Sequence, residues 1–143
     1  MKIKLVLMGA IITLSMVLSS CAGMADGGYD LPGEYSIWFI NASTVELCRD
    51  QKEDGKVWGA TSIVETYVSE IAYNDDYIFA KRVDVPEDIN KDIDTSNPEY
   101  YLLVVETGLL SGPFSKKEFK VQIKTLNLNK MPKWRATSDL PRH

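Results

Sequence analysis

Histidine is almost missing: the single imidazole, His143, is the last of 143 residues. Nothing in the sequence around it would fix its ring, so Ser-His-Asp and Cys-His nucleophile sets are not expected. Cysteine is nearly as scarce, with only Cys21 and Cys48. Zinc sites draw on several Cys or His together, so none is expected. There is no glycine-rich phosphate loop. No apolar run reaches the roughly 20 residues of a spanning helix. Basic charge is thin through most of the chain: residues 21–106 carry 18 acidic and 6 basic side chains, residues 107–143 only 2 acidic and 8 basic. An acidic body with a basic end argues against nucleic acid as the main partner. No cofactor is expected.

What is present begins at the amino end. Lys2 and Lys4 precede an almost wholly apolar stretch, residues 5–18, followed by Ser19, Ser20 and Cys21. A basic head, a short apolar core and a small-residue cleavage site describe a secretory signal. Leu18-Ser19-Ser20-Cys21 also resembles the bacterial lipobox. That resemblance implies that the Cys21 thiol receives a diacylglycerol and that the leader is cut just before it. Ala22 then fits passage to an outer membrane, where the cell has one. An ordinary cleaved signal with an incidental cysteine, or an uncleaved anchor, is the alternative.

The expected organisation is a lipoprotein signal peptide over 1–20, a lipidated cysteine and flexible tether over 21–33, one globular domain over 34–126 and a partly ordered tail over 127–143. The lipid bilayer is then a partner through acylated Cys21, with an envelope protein as a candidate further partner. The expected location is the cell envelope, outside the cytoplasm. Once Cys21 carries lipid, Cys48 is the only thiol left and no internal disulfide can form. It is expected as a small buried apolar residue.

Apolar alternation supplies the fold. Tyr35, Ile37 and Phe39 share one face of a strand over 34–40, and Val45 and Leu47 one face of a strand over 43–48. Val57-Trp58 reads as the start of a short strand. Residues 63–73 and 77–84 flank Asn74-Asp75-Asp76, a hairpin signal, with a bulge near Ser69-Glu70-Ile71. Tyr100 to Val105 are continuously apolar, so their strand is covered on both faces. Ser111-Gly112-Pro113 breaks the chain. Ser115 and Glu118 have capping-box spacing, and Phe119, Ile123 and Leu126 make the apolar stripe of a helix over 116–126. The expected class is α+β, mostly β: an antiparallel sheet of about five or six short strands with one C-terminal helix. A small curled β-barrel is the alternative. The basic end is expected to fold back on the acidic body. The other arrangement sets it near anionic headgroups, but Lys116, Lys117, Lys120 and Lys124 are spread on a helix rather than packed in one tract.

One metal pattern stands out. Asp88, Asn90, Asp92, Asp94, Ser96 and Glu99 have the spacing of a calcium loop, with Glu99 at the bidentate position. Ile93 occupies the turn position that wants glycine, and a strand follows instead of a helix, so a solvated acidic loop is the preferred reading. Asp75 and Asp76 are read as turn formers. Trp38, Trp58, Tyr67, Tyr73, Tyr77, Tyr100 and Tyr101 are read as core and cross-strand pairs, with a ligand groove as the alternative.

Three stretches taken together resemble an uncharacterised family of small bacterial lipoproteins known only as a domain of unknown function. They are Leu31-Pro32-Gly33-Glu34-Tyr35-Ser36-Ile37-Trp38, the run from Glu70 to Lys81, and Tyr100-Tyr101 with Gly112-Pro113-Phe114-Ser115. The similarity covers most of residues 30–126 and leaves 127–143 as a departure. It implies location and a single domain, and supplies no reaction or catalytic residue. The expected function is therefore a binding or structural envelope lipoprotein, not an enzyme. The alternatives are a carboxylate-based envelope enzyme and a calcium-binding adhesion module.

Overall fold

Strand β1 (Gly28–Leu31) pairs antiparallel with β2 (Tyr35–Asn41) around the turn at Pro32-Gly33. The structure, a computed structural model, describes residues 27–143. The leader, Cys21 and the first part of the tether lie outside the described residues. From Gly28 onward, residues read from sequence as flexible spacer form an edge strand.

The chain then runs as a meander. Strand β3 (Thr44–Glu53) pairs with β2 and with β4 (Lys56–Val64), giving a first sheet of order β1-β2-β3-β4. At Glu65 to Tyr67 the chain leaves that sheet. Strands β5 (Val68–Tyr73), β6 (Tyr77–Arg82), β7 (Glu99–Val104) and β8 (Leu110–Phe114) build a second one. After helix α1 (Lys116–Thr125), a short β9 (Arg135–Ala136) returns to the free side of β5. The second sheet has the order β8-β7-β6-β5-β9. A 3-10 turn, Thr137–Asp139, follows.

Among the described residues the class is the expected one, antiparallel and mostly β with one helix, and the sheets do not close into a barrel. Nine strands in two sheets among those residues replace the five or six expected in one. The hairpin turn forms as its residues dictate: Asn74 Oδ1 accepts from the backbone N–H groups of Asp76 and Tyr77 at 3.0 and 2.8 Å. The register slips between Val68 and Glu70, the bulge expected there. Residues 63–73, however, are not one strand. Ile63 and Val64 end the first sheet, and Val68 starts the second. Ser111-Gly112-Pro113 is not a break but part of edge strand β8, where a proline is tolerated because one side needs no ladder donor. Gly112 is required there, since a Cβ would stand 2.7 Å from the Tyr100 carbonyl oxygen.

Three layers result. Ile37, Phe39, Leu47 and Val64 of the first sheet pack against Val68, Ile71, Ile78 and Leu103 of the second. The opposite face of the second sheet offers Ala72, Phe79, Tyr100 and Leu102 to the helix. Strand β7 is covered on both faces, as its apolar run requires. Residues 127–143, read as a partly ordered tail, also enter this packing. Trp134 joins the helix-side cluster, and Leu140 is buried between the sheets.

Candidate functional site

Helix α1 starts where its cap dictates. Ser115 Oγ accepts from Glu118 N, and Glu118 Oε2 accepts from Ser115 N at 2.7 Å. This lays the stripe of Phe119, Ile123 and Leu126 on the outer face of the second sheet. Phe119 is buried; its ring stacks on Tyr100 at 4.8 Å and meets Phe79 edge-on at 5.9 Å. Trp134 closes the third side, 6.1 Å from Phe119 and 6.3 Å from Tyr100. Along these rings runs a groove of about 480 Å³, floored by Tyr100, Phe119, Ile123, Met131 and Trp134 and edged by Lys81, Lys116, Lys120 and Lys124. That volume suits a small molecule or part of a larger one.

The four lysines are not equivalent. Lys81 Nζ sits 2.6 Å from Glu70 Oε2 and 4.5 Å above the Trp134 ring, so its charge is balanced inside the protein. Lys116, Lys120 and Lys124 are exposed, one helical turn apart, and among the described residues none forms an ion pair. Like charges at this spacing cost a helix about 0.2–0.5 kcal/mol per pair. Among the described residues no carboxylate offsets that cost, and only Lys124, in the last turn, gains from the helix dipole.

A second hollow, of about 420 Å³, lies on the outer face of the first sheet. Asp30, Ser36, Trp38, Asp50 and His143 line it. Ser36 Oγ donates to Asp50 Oδ1, and Trp38 Nε1 donates to Ser36 Oγ at 2.9 Å. His143 Nε2 stands 3.4 Å from Asp30 Oδ1, both side chains well exposed. Two acids thus face one hollow, as a carboxylate enzyme needs. Each is engaged by its own partner, however: Asp50 by Ser36 and Asp30 by His143.

A family described as a protein of unknown function (DUF3997) matches residues 32–135. This chain belongs to that family. No curated protein and no solved structure matches it. The DUF3997 match runs past residue 126, so Met131 and Trp134 are part of the family stretch and not a departure from it. Every residue of the lysine groove falls inside the match, whereas Gly28, Asp30 and His143 of the second hollow fall outside. The groove thus lies wholly within the DUF3997 match.

The calcium-spaced residues do not come together. Asp88 Oδ1 accepts from Asn90 N, Asp94 Oδ1 accepts from Ser96 N, and Glu99 Oε2 pairs with Arg82 at 2.9 Å. Asp92 is exposed. Among the described residues no group of three or more His, Cys, Asp or Glu side chains is placed to hold a metal ion. Of the aromatics singled out in the sequence, Tyr67, Tyr73 and Tyr101 pack on the inter-sheet core and Tyr77 on the helix side. Trp58 stays 66 % exposed. Only Tyr100 reaches the groove. Trp134 was overlooked because it sits among Pro132, Lys133 and other tail-like residues. A tryptophan in such a stretch was itself a signal, since Trp is highly buried on average.

Cys48 is buried on the outer face of the first sheet. Burial first, then the charges of Glu46 and Asp50, push its thiol from 9.0 up to about 12. The reactive thiolate is then scarcer by roughly a thousandfold. Peptide mass mapping at pH 8 should find Cys48 unlabelled by a maleimide in the folded protein and fully labelled in urea. Because folding raises this pKa, its contribution to stability is whole below about pH 9 and drains away as pH climbs towards 12.

Proposed function

We propose that this chain is a lipid-anchored envelope protein whose DUF3997 domain binds an anionic amphiphile in the lysine groove and carries out no reaction of its own. The anchor half of this reading rests on Leu18-Ser19-Ser20-Cys21 and the leader before it. The binding half rests on one observation: three unpaired lysines stand in a row above an aromatic floor. A row of like charges that no carboxylate pairs with among the described residues is suited to a ligand that brings the opposite charge. The floor supplies apolar contact for the rest of that ligand.

Thermal unfolding of the whole protein tests the binding half. Decyl phosphate, kept below its micelle concentration, should raise the midpoint by several degrees. A ligand at a hundred times its Kd adds about 2.7 kcal/mol to the folded state. Decyltrimethylammonium and inorganic phosphate should leave the midpoint where it was. Equal shifts from the cationic and anionic amphiphiles would remove the lysines from the argument.

A further inference from the structure

Strand β9, which follows Trp134 of the groove, is tied to the strand at which the described chain begins. Arg135, next to Trp134, donates from Nη1 to Tyr29 Oη at 2.8 Å, and its guanidinium lies 5.5 Å from the Tyr29 ring. Tyr29 is two positions after Gly27, the first described residue. Arg135 lies on the opposite face of the second sheet from Trp134, so the contact ties the edge strand β9, not the groove wall itself, to the start of β1. From Gly27 back to Cys21 the chain has six peptide links, which span at most roughly 20 Å when fully extended. A domain on so short a link stays within reach of the bilayer surface.

Charge points the same way. The basic end does pack back on the acidic body, but mainly through rings. Arg142 lies 4.2 Å from the Phe39 ring and Arg135 engages Tyr29, while Lys116, Lys120 and Lys124 keep no carboxylate among the described residues. Tryptophan and tyrosine beside lysines are also the residue types that sit well at a headgroup boundary.

Resting on the anchored, amphiphile-binding reading above, we infer that the groove docks an anionic phospholipid of the same bilayer. Its phosphate lies among Lys116, Lys120 and Lys124, and its upper acyl chain lies against Phe119 and Trp134. The domain then lies on the membrane instead of swinging on its tether. Each lysine near an anionic surface is worth roughly a factor of five in affinity, and the three together about a hundredfold.

The test uses whole, lipid-modified protein reconstituted into vesicles. One set is phosphatidylcholine, one-third of it with bromine on the upper acyl chain. The other contains one-third phosphatidylglycerol with bromine on the upper acyl chain. Flotation with the vesicles reports the anchor; quenching of Trp134 reports the groove, isolated by subtracting the signal of Trp134→Phe. Brominated phosphatidylglycerol should quench Trp134 at least twofold, and brominated phosphatidylcholine should not. The triple variant Lys116→Gln, Lys120→Gln, Lys124→Gln, changed only at the surface, should float as before and lose the quenching. Absent quenching, or equal quenching by both lipids, overturns the inference. If decyl phosphate still raises the unfolding midpoint in that case, the groove reading survives and only the bilayer lipid is wrong. Failure to float at all sinks the anchor and this inference with it.

Discussion

A chain ending at residue 126 should fail to fold, and Leu140→Ala in the full chain should remove about 2–5 kcal/mol of stability. Leu140 is buried in the core between the sheets, in one cluster with residues of both. Thr137 is fully buried; its hydroxyl is placed to donate to the Val68 and Ser69 carbonyls at 2.8 and 3.2 Å. Those carbonyls flank the β5 bulge, where the ladder with β6 slips. Without Thr137 a buried acceptor loses its donor, which costs about 1–3 kcal/mol. Strand β9 covers the free side of β5 through Glu70–Ala136 and Ile71–Arg135. Trp134 completes the packing around Phe119 and Tyr100. Removing all of this at once exceeds what a domain stable by about 5–15 kcal/mol can absorb. Urea unfolding followed by far-ultraviolet circular dichroism is the check. A truncated chain that unfolds cooperatively at the full-length midpoint would show that residues 127–143 are dispensable.

That same segment shows which parts of the fold are legible in a sequence. Local patterns could be read. The Asn74-Asp75-Asp76 turn, the bulge beside Ser69, the doubly covered β7 and the Ser115–Glu118 cap are each specified by residues within a few positions of one another. Residues 127–143 contribute singly, by Trp134, Thr137 and Leu140, and each finds its partner far along the chain. No periodicity marks a segment that docks one residue at a time. The two-sheet arrangement was hidden for a related reason. Alternation tells which side of a strand is buried, not which sheet it joins, and in Ile63 through Val68 only Glu65 and Thr66 interrupt the apolar residues, which gives no sign that the chain changes layer. The groove was half visible. The spacing of Lys116, Lys120 and Lys124 puts them on one side of a helix, but the floor beneath needs Tyr100 and Trp134 brought in from elsewhere.

Changing Cys21 to Ala should move nearly all of the protein from the membrane fraction to the soluble one. The reason is additive burial. Each methylene contributes about 0.8 kcal/mol, and a single fourteen-carbon chain binds membranes with an association constant of only about 10⁴ M⁻¹. Two or three chains on one residue multiply that many orders of magnitude, so the anchor outweighs every other contact with the bilayer. The groove is weak by comparison, at about 1 kcal/mol for each of three lysines, and cannot hold the variant alone. One alternative outcome must be separated by mass. If Cys21→Ala also blocks cleavage, the apolar residues 5–18 stay attached and can keep the chain at the membrane without lipid. Intact-mass measurement distinguishes the cases: the native protein should begin at residue 21 and carry acyl chains, and a retained variant would still carry Met1. Giving the variant a leader that is cut independently of cysteine removes the ambiguity. Membrane attachment that survives in that cut, lipid-free protein would place the anchor somewhere other than Cys21.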